Sequence, residues 1–113
     1  MDTSIIYQDR NNDFSLVLRK NGTALSSGDM TSIDKYEIRY KGAYYDSDDY
    51  PTAFEVDTAT ATVTIHPQPF GLAASTKKGD IVEFIVYDDV TYPEGLVWDQ
   101  FKLIVKKDAA LIT

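Results

Sequence analysis

Cysteine is absent from the chain, which excludes disulfides, thiolate metal sites and cysteine nucleophiles and leaves stability to packing alone. Histidine occurs once, so any histidine chemistry has a single place to reside. No segment approaches the ~20 consecutive apolar residues that a membrane helix needs. The N-terminal "MDTSIIYQDRNN" has an early acid, no basic flank and an apolar run of only three residues, so it does not read as a secretory signal. The expectation is a chain made and folded in a cytoplasm. Basic residues are also scarce: eleven against eighteen acids give a net charge of −7. Without a concentrated basic patch, that charge opposes nucleic acid and anionic membrane surfaces as partners.

What is present is ordinary globular material, 43% hydrophobic and 26% charged, which argues against disorder or a fibrous repeat. A length of 113 residues suits one domain, 1–113, around one core. Alternation with a period of two dominates. "FSLVLRK" places Phe14, Leu16 and Leu18 on one face against Ser15, Val17 and Arg19. It meets Asn21-Gly22, a dipeptide that tolerates positive φ at both central positions of a hairpin. "SSGDMTSID" has cap and turn residues and reads as a loop with at most one helical turn. "KYEIRYK" alternates Tyr36, Ile38 and Tyr40 with Glu37, Arg39 and Lys41. "AYYDSDDYPTA" then reads as a turn or an exposed edge, because Pro51 cannot donate to a ladder.

"FEV" and "TVTIH" read as a hairpin with Phe54, Val56, Val63 and Ile65 facing in. Pro67 and Pro69 end it, and "PFGLAASTKKGD" is long enough to cross between sheets. "DIVEFIVY", apolar on both faces except for Glu83, reads as a central strand covered on both sides. "GLVWDQFKLIVKK" returns with Phe101, Leu103 and Val105 inward and Trp98, Gln100 and Lys102 outward. "DDVTYPEG" between them reads as an extended hairpin loop. The predicted fold class is all-β: an antiparallel two-sheet sandwich, immunoglobulin-like, of seven or eight strands.

Few side chains carry chemistry in a recognisable pattern. Asp88, Asp89 and Glu94 could converge on calcium at a loop tip, but the alternating acids around an obligatory glycine are missing and a solvated turn is the simpler reading. Asp46, Asp48 and Asp49 are the better calcium candidate, since Asp46 and Asp48 could share one face of an extended loop; an acidic edge that discourages strand-to-strand aggregation competes with it. His66, in "IHPQP", lacks the nucleophile elbow of a Ser/His/Asp hydrolase. No catalytic residue and no cofactor is expected. The eight tyrosines carry more weight. Tyr44, Tyr45 and Tyr50 crowd one predicted loop, Tyr92 caps the last hairpin, and Trp98 lies opposite Phe101. Rings with a polar tip suit contact with protein or with sugar, and they suit packing between sheets equally well.

The succession "FSLVLRKNGTAL", "YEIRY", "FEVDTATATVTI", "GDIVEFIVYD" and "GLVWDQFKLIV" resembles the small immunoglobulin-like sandwich domains of tailed-phage virion proteins, in particular the N-terminal domain of phage baseplate upper proteins. The resemblance spans residues 13–105 and rests on alternation and turn placement. The acidic "GAYYDSDDYP" departs from the family pattern, and the sequence stops soon after the last strand. A free-standing domain of this kind looks like a capsid decoration, minor head or tail, or adaptor component. The resemblance implies a non-enzymatic virion protein, made in a bacterial host, that docks other virion proteins or copies of itself. Tyr44, Tyr45, Tyr50, Tyr92 and Trp98 are the expected contacts. A carbohydrate-binding sandwich using the same aromatics is the alternative.

Overall fold

The computed structural model describes residues 3–8 and 12–106. Ten strands, one short helix and one 3-10 turn succeed one another: β1 (Thr3–Tyr7), β2 (Phe14–Val17), β3 (Arg19–Lys20), β4 (Thr23–Ala24), α1 (Ser27–Thr31), β5 (Lys35–Tyr40), β6 (Ala43–Asp46), β7 (Phe54–Asp57), β8 (Thr62–Ile65), the 3-10 turn Gln68–Phe70, β9 (Asp80–Asp88) and β10 (Tyr92–Lys106). They form a five-stranded sheet in the order β1-β10-β9-β5-β6, a three-stranded sheet β2-β8-β7 and the small ribbon β3-β4.

The fold is an all-β two-sheet sandwich. Its last four long strands in spatial order, β10-β9-β5-β6, and the opposing β2-β8-β7 reproduce the immunoglobulin-like division of strands between two sheets. The large sheet is mixed rather than wholly antiparallel, because β1 runs parallel to β10, with Thr3 opposite Lys102 and Tyr7 opposite Lys106. The strand count exceeds the expected seven or eight for two reasons. β1 has no clear alternation to announce it, and the Asn21-Gly22 turn builds a ribbon of its own. That turn has φ of 54° at Asn21 and 79° at Gly22, both positive as the dipeptide demands.

Side chains of both sheets meet in one core in which Leu18, Ile38, Val63, Ile65, Val82, Phe84 and Leu103 are inaccessible to solvent. Aromatic contacts fasten the layers where antibody domains use a disulfide. Phe14 of β2 meets Phe101 of β10 edge-on at 5.3 Å, and Tyr36 of β5 lies between Phe54 of β7 at 6.5 Å and Phe84 of β9 at 6.0 Å. The connection from β8 to β9 does cross between sheets, and it buries Phe70 and Leu72 on the way. It is held at β5 and just beyond, where the Tyr40 hydroxyl donates to the Ala73 carbonyl and Lys41 Nζ to the Ala74 carbonyl, each at 2.7 Å. Burial, with Asp80 nearby, pushes the Tyr40 pKa up to about 12, so this hydroxyl keeps its proton.

Three local expectations are corrected. Val56 shares the inner face with Phe54 and Val63, as expected, but it sits near the end of β7 and is left exposed. β9 is central in its sheet, and its two faces are covered unequally: Val82, Phe84 and Val86 are buried on the inner face, whereas on the outer face Ile85 is buried and Ile81 is exposed. The last hairpin turns within residues 89–91, since Tyr92 already pairs with Asp88. The residues read as a long loop are instead an irregular start of β10, with register shifts between Tyr92 and Leu96 and between Val97 and Asp99.

Candidate docking face

Asp88 and Asp46, among the acidic candidates, cap turns. Asp88 Oδ1 accepts from the backbone N–H of Val90 at 2.9 Å and of Thr91 at 3.2 Å, and these bonds hold its carboxyl below its ordinary pKa. Asp89 contributes its own N–H to the Asp34 carboxylate. Asp46 Oδ1 accepts from the Asp49 N–H at 2.8 Å, so the acidic stretch is built around a side-chain-capped turn. Asp46, Asp48 and Asp49 do not converge: among the described residues, no group of three or more acids and histidines is gathered as metal ligands would be.

His66 has an environment the sequence did not disclose. Its Nδ1 lies 2.6 Å from Asp13 Oδ1 and its Nε2 lies 3.2 Å from Glu55 Oε2. The clasp therefore joins residues next to or within all three strands of the small sheet. Both ring nitrogens face carboxylates, which raises the His66 pKa through the bond to Asp13 first and that to Glu55 second. An imidazole so engaged has no free nitrogen to activate a serine, and the Ser/His/Asp arrangement is not formed.

The tyrosines divide. Tyr44 and Tyr45 are adjacent on β6, a paired edge strand and not a loop, so they point to opposite faces of the sheet. Tyr45 and Tyr50 pack on Phe70, with ring centroids 4.9 and 5.0 Å away, and on each other at 5.8 Å. Tyr44 alone of the three is on the outer face, with the Arg39 guanidinium 5.5 Å from its ring centre. Tyr92 and Trp98 lie at another place, beside a cleft at one end of the sandwich. Trp98 falls at the second register shift in β10 and packs against the core, which corrects its outward placement. A bulge of this kind re-aims one side chain without altering the rest of the strand, and Phe101, Leu103 and Val105 stay inward as expected.

The outer face of the large sheet holds the most organised surface. Gln100, Glu83, Arg39 and Tyr44 lie opposite one another across β10, β9, β5 and β6. Gln100 Nε2 donates to Glu83 Oε2 at 3.0 Å, Arg39 Nη1 donates to Glu83 Oε1 at 3.1 Å, and Arg39 stands against Tyr44. A second set pairs Val97 with Ile85 and Ile85 with Glu37. There the Tyr87 hydroxyl donates to Glu37 Oε1 at 2.7 Å, and Lys35 Nζ sits 4.2 Å over the Tyr87 ring. Around this fixed polar ladder, apolar groups stay in solvent: Ile5 is 52% exposed, Ile81 52%, Val97 46% and Tyr44 56%. The opposite face of the molecule, on β2, β8 and β7, exposes Val17 but is otherwise polar. It carries Ser15 bonded to Thr64, together with the His66 clasp.

No protein-family model and no curated protein matches the chain. Among solved structures it is similar to Drosophila OTK, extracellular domains 3-5, at 11% identity and a TM-score of 0.41, with 96% of this chain and 33% of that chain covered. The immunoglobulin-like character follows from the strand order given above.

Proposed function

We propose that this domain is a non-enzymatic docking module of a phage or prophage virion, which binds another virion protein through the outer face of its five-stranded sheet. The observation that carries the docking reading is the exposure of Ile5, Ile81, Val97 and Tyr44 around a preassembled ladder of Gln100, Glu83 and Arg39 on that one face. Apolar and aromatic groups supply the area to be desolvated, while Arg39 and Glu83 are already paired and lose little freedom on contact. The virion as the setting is supported by the resemblance of residues 13–105 to phage sandwich domains. Repeated copies on a symmetric lattice or ring raise the total strength of such contacts by multivalency.

The test combines particle composition with one substitution. Mass spectrometry of gradient-purified particles from the producing culture should detect the chain, at on the order of hundreds of copies for capsid decoration or a small multiple of ring symmetry for a neck or tail position. Ile81→Glu should leave the melting temperature unchanged and abolish attachment to particles. Absence of the chain from particles would end the virion reading; full attachment of the Ile81→Glu protein would end the assignment to this face.

A further inference from the structure

At the end of the sandwich that carries the last hairpin, α1, β3 and the start of β10 enclose a cleft of about 170 Å³. Its size suits one side chain rather than a drug-sized ligand, for which pockets run to about 300–1,000 Å³. Its apolar lining includes Ile33 and the buried Val86, and its aromatic lining is Trp98 and the partly exposed Tyr92. Asp29, from the first turn of α1, and Asp88, at the end of β9, also line it, and Lys20 is the one cation among the lining residues.

We propose that this cleft is a binding site for a single cationic side chain, arginine or lysine, presented by a partner protein. An apolar stem would lie on Ile33 and Val86, and the cationic head would lie between the indole and phenol rings, whose faces attract positive charge, and the two carboxylates. Charge complementarity favours this occupant over an anionic or neutral one. Two acids oppose one lysine among the lining residues, and Asp34 and Asp89, each next in sequence to a lining residue, add two more acids joined by the bond from the Asp89 N–H to Asp34 Oδ2. Asp88 stays ionised because backbone N–H groups hold its carboxylate. Lys20 occupies the place of a resident competitor, since any incoming cation meets its charge. The site shares no residue with the sheet face proposed above, so the two readings stand or fall separately.

Trp98 is the only tryptophan, so emission excited at the red edge of the absorption band, where the eight tyrosines absorb little, reports on Trp98 in this cleft. Titration with N-acetyl-arginine methylamide at constant ionic strength should change that fluorescence saturably in the millimolar range, whereas the uncharged citrulline analogue should not. Lys20→Ala should tighten binding about threefold, and Asp88→Asn should weaken it by a similar factor, the size expected for one exposed charge. Asn keeps the oxygen that caps the turn, and Asp29→Asn provides a second neutralisation away from it. Equal responses to arginine and citrulline derivatives, no saturable response, or shifts of the same sign for Lys20→Ala and Asp88→Asn would each overturn the proposal.

Discussion

Replacing Tyr87 by Phe removes one oxygen and leaves Glu37 with a buried carboxylate short of its donor. Glu37 is 6% exposed, and Tyr87 reaches its Oε1 at 2.7 Å from the neighbouring strand. Hydrogen bonds to charged groups contribute roughly 1.5–3 kcal/mol, so Tyr87→Phe should cost about 2 kcal/mol. At this chain length that is a fall of roughly 8 °C in Tm. The phenyl ring keeps the Lys35 ammonium contact, so the change isolates the hydroxyl. Glu37→Gln should cost less, about 1 kcal/mol, because the amide oxygen still accepts. The double change Glu37→Leu with Tyr87→Phe should recover part of the loss, since no polar group is then left without its partner. Urea unfolding at constant m-value measures all three. Burial, and then the bond to Glu37, raise the Tyr87 pKa from 10.0 to about 12. The stabilisation is thus complete below pH about 10 and is lost as pH rises through about 12. A Tyr87→Phe protein within about 0.5 kcal/mol of the parent, the usual range of an indifferent surface change, would refute this account of the outer face.

Gly95 has φ of 91°, and an added Cβ would come 2.8 Å from Tyr87 Cε2 and 2.9 Å from Ile85 Cγ2, so Gly95→Ala should destabilise by about 2 kcal/mol or more in the same urea assay. The Tyr36 hydroxyl is buried without a protein hydrogen-bond partner among the described residues; Tyr36→Phe should therefore be neutral or stabilising by up to about 1 kcal/mol, and a clear loss would reveal a partner. The raised pKa of His66 stabilises the fold fully below about 6.5, the ordinary histidine value, and that contribution is lost as pH rises through the folded-state value. A comparison of parent and His66→Asn Tm between pH 5 and 9 should show the gap closing toward high pH, and a constant gap would show that the clasp is not a protonated one.

Alternation in the sequence was a sufficient guide wherever a strand has one buried and one solvated face, as in β2, β5 and the second half of β10. It gave the inward set Phe14, Leu16, Leu18, Ile38, Phe101 and Leu103 and the turn at Asn21-Gly22. It failed where geometry departs from a period of two or where a contact joins distant residues. β1 offers Ile5 and Ile6 side by side, and only its pairing with residues some hundred positions away decides that Ile6 is the buried one. The register shift between Val97 and Asp99 turns Trp98 toward the core, and nothing local to "VWD" signals it. Tyr44, Tyr45 and Tyr50 were grouped by composition; the strand geometry of β6 separates the first from the other two. The His66 clasp and the Glu37 to Tyr87 bond span 53 and 50 positions, beyond the reach of any local pattern.

The contrast between the two sheet surfaces supports the large sheet as the proposed docking face. On the small sheet, Ser15, Thr62, Thr64, Glu55 and Asp57 present short hydroxyls and acids, groups that stay well hydrated and lose hydration on contact. On the large sheet, the long side chains of Arg39, Glu83, Gln100 and Lys35 are already held by one another or by an aromatic ring, so the ordering cost falls at folding rather than at association. The same ladder that stabilises the large sheet also sets Arg39 against Tyr44, on the face where Ile81 and Val97 are exposed. If the proposed docking holds, Glu83→Ala, which weakens the ladder, should lower attachment to particles in a sedimentation assay even though Glu83 itself need not touch the bound protein.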